Sequence, residues 1–265
     1  GWARDDWDRL ASAVVAGHVL ECGPQATGGN YSFFREVPRL VNPGFPIAEI
    51  AADGSFVVTK HDGTGGLINR AVVTEQILYE LGNPRDYITP DVVADFTSMH
   101  IDDAGENRVR VHSVKGKPRT DKLKVSISYH AGYKAVGTLV YSWPNAVQKA
   151  EMASKVLIER LANMGHHYDA VRTEFVGWNS THGHLAGPAS EDIPEVELRV
   201  GVRSMEKAPV EAFTRELAPL ILTGPPSVTG FAGGRPRVQD IVAYWPALID
   251  RKQIESHLRV EVVDA

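Results

Sequence analysis

The feature that most constrains the fold is one hairpin in the first quarter of the chain. Residues 47–59 read IAEIAADGSFVVT, with an apolar run on each side of Asp53 and Gly54. Both of these residues tolerate positive φ, so the pair predicts a type I′ turn between two adjacent strands. The hairpin therefore favours antiparallel sheet over a series of parallel βαβ units.

Patterning along the rest of the chain extends this prediction. Alternation of apolar and polar residues predicts an antiparallel meander with one solvated face. Its four segments are Val92–Ile101, Arg108–Ser113, Leu123–Tyr129 and Tyr133–Ser142. Helical periodicity predicts helices over residues 5–22, 67–81, 145–164 and 209–222, each followed within two residues by Gly. The predicted fold class is α+β (α/β in the broad sense), with mixed, largely antiparallel sheets packed against a few helices.

The length of 265 residues suits one large domain or two modest ones. We predict a first α+β subdomain over residues 1–165, which carries two glycine-rich loops, and a second over 166–265. One continuous domain is the alternative, because no long linker marks the boundary. The opening residues, GWARDD, are typical of the interior of a longer protein.

Charge and composition indicate which classes of partner and which cellular compartment to expect. A net charge of −5 argues against nucleic acid, since phosphate binding needs a concentrated basic surface. No apolar run approaches the roughly 20 residues that cross a bilayer, so no membrane partner is expected. Cys22 is the single cysteine, which rules out an intrachain disulfide. These observations predict a cytoplasmic protein.

The first candidate site is the loop that follows the hairpin, KHDGTGGLIN at residues 60–69. Its glycines allow a sharp turn that aims N–H groups at one point, and the next helix adds its positive end. Such a loop suits a phosphate or a carboxylate. The predicted ligand-binding residues here are Lys60, Gly63, Thr64, Gly65, Gly66 and Asn69. The alternative is a strand-to-helix corner that uses glycine only for its φ values.

A second glycine-rich loop, residues 21–30, follows the first helix. Its amides, hydroxyl and glycines predict hydrogen bonds to a ligand. The predicted residues are Gln25, Thr27, Gly28, Gly29 and Asn30. Cys22 is a nucleophile if a neighbouring base lowers its pKa, and otherwise a small apolar residue at a helix end. The alternative for the whole loop is a structured turn.

Three weaker candidates lie elsewhere. Arg235 and Arg237, in the loop GFAGGRPR, are predicted to bind a carboxylate or a phosphate. The alternative is a flexible surface loop whose charges only increase solubility. Zinc at His182 and His184 would need a third ligand, namely Asp169, Glu174 or Asp192. Asp91 and Asp95 could act as an acid–base pair or cap a strand end. We predict no metal, and no cofactor is firmly implied.

Four long phrases of the sequence together resemble the acyclic terpene utilisation family, AtuA-type. They are AGHVLECGPQATGGNYSFF, GFPIAEIAADGSFVVTKHDGTGGLINRAVVTEQILYELGNP, YITPDVVADFTSM and RPRVQDIVAYWPALIDR. The likeness spans nearly the whole chain and matches the C-terminal part of the family's main domain. Members are typically longer, so the resemblance implies a further N-terminal region, or a partner chain of the same family, beside this one.

The resemblance implies a role in bacterial catabolism of branched compounds, whose pathways run on acyl-CoA intermediates. We expect a hydratase or lyase acting on an acyl-CoA or a small carboxylate, with CoA as substrate carrier. Lys60 and its loop hold the anion in this scheme, and His61 or Asp62 moves the proton. The alternative is a non-catalytic binding or scaffold subunit that completes a partner's active site. A homo-oligomer is expected in either case.

Overall fold

The structure, a computed structural model, describes residues 1–230, 234–259 and 261. The helices are α1 (Trp7–Glu21), α2 (Arg70–Leu78), α3 (Ala146–Asn163), α4 (Lys207–Glu216), α5 (Leu220–Thr223) and α6 (Arg251–Glu255). The strands are β1 (Pro46–Ile50), β2 (Phe56–Lys60), β3 (Tyr87–Ile88), β4 (Val92–Asp95), β5 (His100–Asp103), β6 (Val109–His112), β7 (Lys115–Pro118), β8 (Lys122–Ser142), β9 (Ala170–Val176), β10 (Glu195–Ser204), β11 (Val228–Thr229) and β12 (Gln239–Asp250). Helices packed on largely antiparallel sheets confirm the α+β class.

The chain forms two compact units. The first contains Gly1–Lys124 and the segment from Leu248 onward, and the second contains Val125–Ala247. The division predicted at residue 165 does not coincide with this grouping. Residue 165 lies between α3 and β9, and both elements pack against β10 within the second unit.

The first unit holds two sheets, with strand orders β1-β2-β6-β5 and β3-β4-β7. Alternation decides which side chains enter its core: Val109 and Val111 of β6 are fully buried, whereas Arg110 between them is exposed. Helix α1 contributes Val15 and Val19 to the same apolar cluster.

The hairpin β1–β2 confirms the strongest sequence prediction, with Ile50 paired to Phe56. Its turn is not of type I′, because Gly54 has positive φ (+89°) and Asp53 does not. The N–H of Gly54 donates to the carbonyl of Ala51 at 3.0 Å. A three-residue connection that ends in a left-handed glycine matches this geometry.

The second unit is built on a sheet with the order β11-β8-β10-β9, and β12 pairs with β8. Helices α3 and α4 pack against β10. The predicted meander is wrong in two respects. Segments 123–129 and 133–142 form one strand, β8, and segment 92–101 is divided between β4 and β5, which belong to different sheets. None of the helices in the described residues is both long and apolar enough to span a membrane.

Candidate functional site

The two predicted glycine-rich loops lie against each other in the first unit. The 21–30 loop begins as a 3-10 turn, Gly23–Thr27, and continues to Asn30. The other loop spans residues 60–69. The N–H of Leu67 donates to the carbonyl of Thr27 at 2.9 Å. A Cβ on Gly66 would lie 2.6 Å from the same carbonyl oxygen. The loops therefore meet through their backbones, as one candidate site requires.

The N–H groups of Gly65 and Gly66 already have acceptors. Gly65 donates to the carbonyl of Asn42 and Gly66 to that of Pro38, each at 2.7 Å. A Cβ on Gly65 would lie 2.4 Å from the carbonyl oxygen of Arg39. These two glycines let the 38–43 segment approach closely, and their N–H groups are not free to bind an anion.

The 21–30 loop uses its polar groups mainly to hold itself together. Thr27 is fully buried, and its hydroxyl lies 3.0 Å from the carbonyl of Pro24 and 2.8 Å from that of Gly44. Gly28 has φ of +99°, and the N–H of Gly29 donates to the carbonyl of Pro24 at 2.9 Å. Gln25 is half-buried and Asn30 is exposed, so these two side chains can still reach a ligand.

Lys60 is the most informative of the predicted residues. Its half-buried ammonium donates to the carbonyl and the hydroxyl of Thr64 at 3.1 and 3.3 Å. Thr64 in turn donates to the carbonyl of His61 at 2.7 Å, which fixes the loop. No salt bridge to Lys60 occurs in the described part of the chain. An ammonium has three donors, so one remains for an external acceptor.

His61, Asp62 and Gly63 are exposed at the tip of this loop. Neither ionisable side chain forms a salt bridge or side-chain hydrogen bond among the described residues. A cation, an imidazole and a carboxylate therefore stand on consecutive residues of a loop that is anchored on both sides.

Asn69, at the end of the loop, is occupied as a helix cap. Its side chain accepts from the N–H of Val72 at 2.9 Å. The next N–H, that of Arg70, donates to Asp103 at 2.8 Å. A cleft of about 360 Å³ beside Gly66 and Asn69 is lined by Asp103 and Glu106. These carboxylates disfavour an anion at the start of α2.

Arg235 and Arg237 are exposed residues of the second unit, just before β12. Neither forms a salt bridge within the described residues. The middle of their loop, residues 231–233, lies outside the described residues.

The alternative sites receive little geometric support. The described residues contain no group of three or more His, Cys, Asp or Glu arranged to hold a metal ion. Glu174, one proposed zinc ligand, is bound by Arg199. Asp95 accepts from the hydroxyl and N–H of Thr97, and the hydroxyl bond in particular lowers the pKa of this carboxyl below its usual value. Cys22 is half-buried at the end of α1.

Sequence reasoning missed one cluster of polar side chains in the first unit. His112, the last residue of β6, contacts Asp102 of β5 through Nε2 and Ser113 through Nδ1, each at 2.9 Å. The residue types are common and their sequence separation fits no motif. Only the β5–β6 register, which pairs Asp102 with Arg110 and His100 with His112, brings them together.

The chain matches a known protein family over nearly its whole length. The family described as "Acyclic terpene utilisation family protein AtuA" matches residues 1–260. No curated protein and no solved structure matches the chain.

Proposed function

Because the chain belongs to the acyclic terpene utilisation family AtuA, we propose that it acts in the catabolism of acyclic terpenes or branched acyl-CoA compounds. The proposed reaction is addition or elimination of water on an acyl-CoA or a related small carboxylate. Lys60 binds the anionic group of the substrate, and His61 or Asp62 transfers the proton.

The ammonium of Lys60, which forms no salt bridge within the described residues, carries this proposal. A half-buried cation without a carboxylate partner is costly, because hydrogen bonds to neutral groups compensate only part of its lost hydration. An incoming phosphate or carboxylate would supply the missing negative charge. The anion contact rests on the Lys60 side chain, since the N–H groups of Gly65 and Gly66 are already used.

The chemistry needs one group that gives a proton and one that accepts it. His61 and Asp62 supply both beside the anion contact, and both are accessible to a substrate. Gln25 and Asn30, on the neighbouring loop, are the remaining predicted side chains that can orient it.

Binding of CoA compounds tests the anion site first. We expect free CoA or branched acyl-CoA thioesters to raise the melting temperature of the chain. Lys60→Ala should abolish the shift, whereas Lys155→Ala, which removes an exposed lysine charge from α3, should preserve it. Equal shifts in all three proteins would place the anion elsewhere.

Turnover tests the proton-transfer role separately. Hydration of an unsaturated branched acyl-CoA can be followed by loss of its ultraviolet absorbance. Asp62→Ala should abolish turnover and leave the melting temperature nearly unchanged, because Asp62 is exposed. Full activity together with a large loss of stability would contradict this assignment.

A second candidate function is a non-catalytic one, in which the chain completes the active site of a partner of the same family. The segment between the two loops favours it, because Phe33, Phe34, Val41 and Phe45 are 61%, 56%, 90% and 67% exposed. Such a concentration of exposed apolar side chains is typical of an interaction surface. If CoA compounds give no shift and Phe34→Ser with Phe45→Ser reduces the sedimentation coefficient, this candidate replaces the first.

A further inference from the structure

We propose that Ser113, His112 and Asp102 form a second catalytic site, one that hydrolyses a carboxylic ester or thioester through an acyl-serine intermediate. His112 and Ser113 line a polar cleft of about 320 Å³ in the first unit. None of the three residues belongs to the Lys60 loop, so the inference is independent of the function proposed above.

The hydrogen bonds define the tautomer of His112. Ionised Asp102 can only accept, so Nε2 of His112 carries the hydrogen and donates to it at 2.9 Å. In the neutral ring Nδ1 is then an acceptor, and it lies 2.9 Å from the hydroxyl of Ser113. The serine proton therefore points to a base whose other nitrogen is held by a carboxylate, which is the arrangement that activates serine for attack.

One further contact and one backbone feature accompany this arrangement. The ring of His100 stacks on that of His112, with centroids 5.4 Å apart and an interplanar angle of 12°. Ser113 has φ of +64°, a left-handed conformation that is unfavourable for a residue with a Cβ. Backbone strain of this kind is concentrated at functional positions.

The cleft also offers positive charge. Arg110 lies in the same lining, and its guanidinium donates to the hydroxyl of Ser55 at 3.4 Å. No salt bridge to Arg110 occurs in the described residues. Lys115, by contrast, is neutralised by Asp8 at 2.7 Å. Asp53 lines the same cleft and interacts electrostatically with Arg110, but it forms no salt bridge with it. In the proposed reaction, Arg110 stabilises the oxyanion that forms when serine attacks a carbonyl.

The reaction balances with water as the only co-reactant. The oxygen of Ser113 bonds to the carbonyl carbon while its proton passes to Nδ1 of His112. The C–O or C–S bond of the substrate then breaks, and the leaving alcohol or thiol takes that proton. Water next gives a proton to His112 and adds its hydroxide to the acyl carbon, which releases the acid and returns the proton to Ser113.

The chain contains a matched control for the serine. Ser256 and His257 are also adjacent, and their Oγ and Nδ1 atoms lie 3.1 Å apart. No carboxylate contacts the ring of His257 within the described residues. A serine–histidine contact is thus present at both places, and of the two histidines only His112 also contacts a carboxylate within the described residues.

A fluorophosphonate probe and p-nitrophenyl acetate test the proposal on the full chain. We expect covalent labelling of one serine, identified as Ser113 by peptide mass spectrometry, together with ester hydrolysis. Both should be lost in Ser113→Ala and in Ser113→Gly, and retained in Ser256→Ala. Because glycine tolerates the left-handed φ, Ser113→Gly should be at least as stable as the wild type, which separates lost chemistry from lost folding.

Asp102→Asn tests the positioning role. It should lower kcat at least tenfold with KM and the melting temperature unchanged, because it disturbs the tautomer and not the cleft. No labelling of the wild type, labelling that persists in Ser113→Ala, or labelling at Ser256 would each overturn the proposal. In the Lys60→Ala variant, the fluorophosphonate probe should still label Ser113. Failure of the serine-hydrolase proposal can therefore be distinguished from failure of the hydratase proposal.

Discussion

Gly63 and Gly66 have φ of +75° and +81°, yet they stand in different surroundings. A Cβ on Gly63 would have nothing within 4 Å, whereas one on Gly66 would lie 2.3 Å from the carbonyl oxygen of Pro43. Gly63 is needed only for its backbone conformation. Gly66 is needed also because another backbone segment occupies the space of a side chain. The sequence shows two glycines and gives no sign of this difference.

We expect Gly66→Ala to lower the free energy of unfolding by about 2–5 kcal/mol, the sum of the left-handed penalty and overpacking. Gly63→Ala should cost only about 1–2 kcal/mol, since it carries the first penalty alone. Urea denaturation followed by circular dichroism measures both. Equal losses in the two variants would show that the 38–43 segment yields to the added methyl group.

The pairing of strands β9 and β10 brings oppositely charged side chains together. Their register places Arg199 directly opposite Glu174, and the guanidinium binds the carboxylate at 2.6 Å. Arg172, on the same strand as Glu174, binds it at 2.6 Å as well. The hydrogen bond from Arg199 is the main cause that lowers the pKa of Glu174 below its usual value of 4.5, against the opposing effect of burial.

Because the folded-state pKa is lowered, the stabilisation by Glu174 is present above pH 4.5 and is lost as the pH falls through the folded value. Glu174→Gln should therefore cost about 1 kcal/mol at pH 7 and much less once the pH has fallen below the lowered folded-state pKa. Glu197→Gln on β10, whose carboxylate forms no salt bridge in the described residues, is the control and should change little. Urea unfolding at the two pH values measures this difference in the free energy of unfolding. A loss of stability in Glu174→Gln that is independent of pH would contradict the role of the charge.

At the scale of the whole molecule, each unit has its own apolar core. That of the second unit gathers fully buried side chains from β8, α3, β10 and α4, among them Leu139, Leu157, Leu198 and Phe213. These residues are far apart in sequence, so the core depends on the β8–β10 register and on α3 lying across it.

Leu157→Ala should lower the free energy of unfolding by about 2–5 kcal/mol, because it leaves a cavity in a close-packed interior. Met152→Ala, on the same helix but 54% exposed, should change stability by less than about 0.5 kcal/mol. Thermal denaturation of both variants provides the measurement. A small effect of Leu157→Ala would mean that the core repacks around the missing side chain.

The sequence by itself determined the local features: the α+β class, the β1–β2 hairpin, helices α1, α2 and α3 within a few residues, and the two glycine-rich loops. These follow from short-range periodicity and from glycine and proline, which act on their own backbone. Its long phrases also carried the family resemblance that the comparison confirmed.

Only the tertiary structure decided which groups are available for chemistry. It assigned the N–H groups of Gly65 and Gly66 to carbonyls of Asn42 and Pro38, and it joined Asp102 to His112. Among the residues that the structure describes, it left Lys60 without a carboxylate partner. It also made β8 continuous through Gly132, which has φ of +92° and lies where the sequence pattern predicts a break between segments 123–129 and 133–142. The reason is physical: hydrogen-bond partners and strand register are set by contacts between distant residues, and no local pattern encodes them.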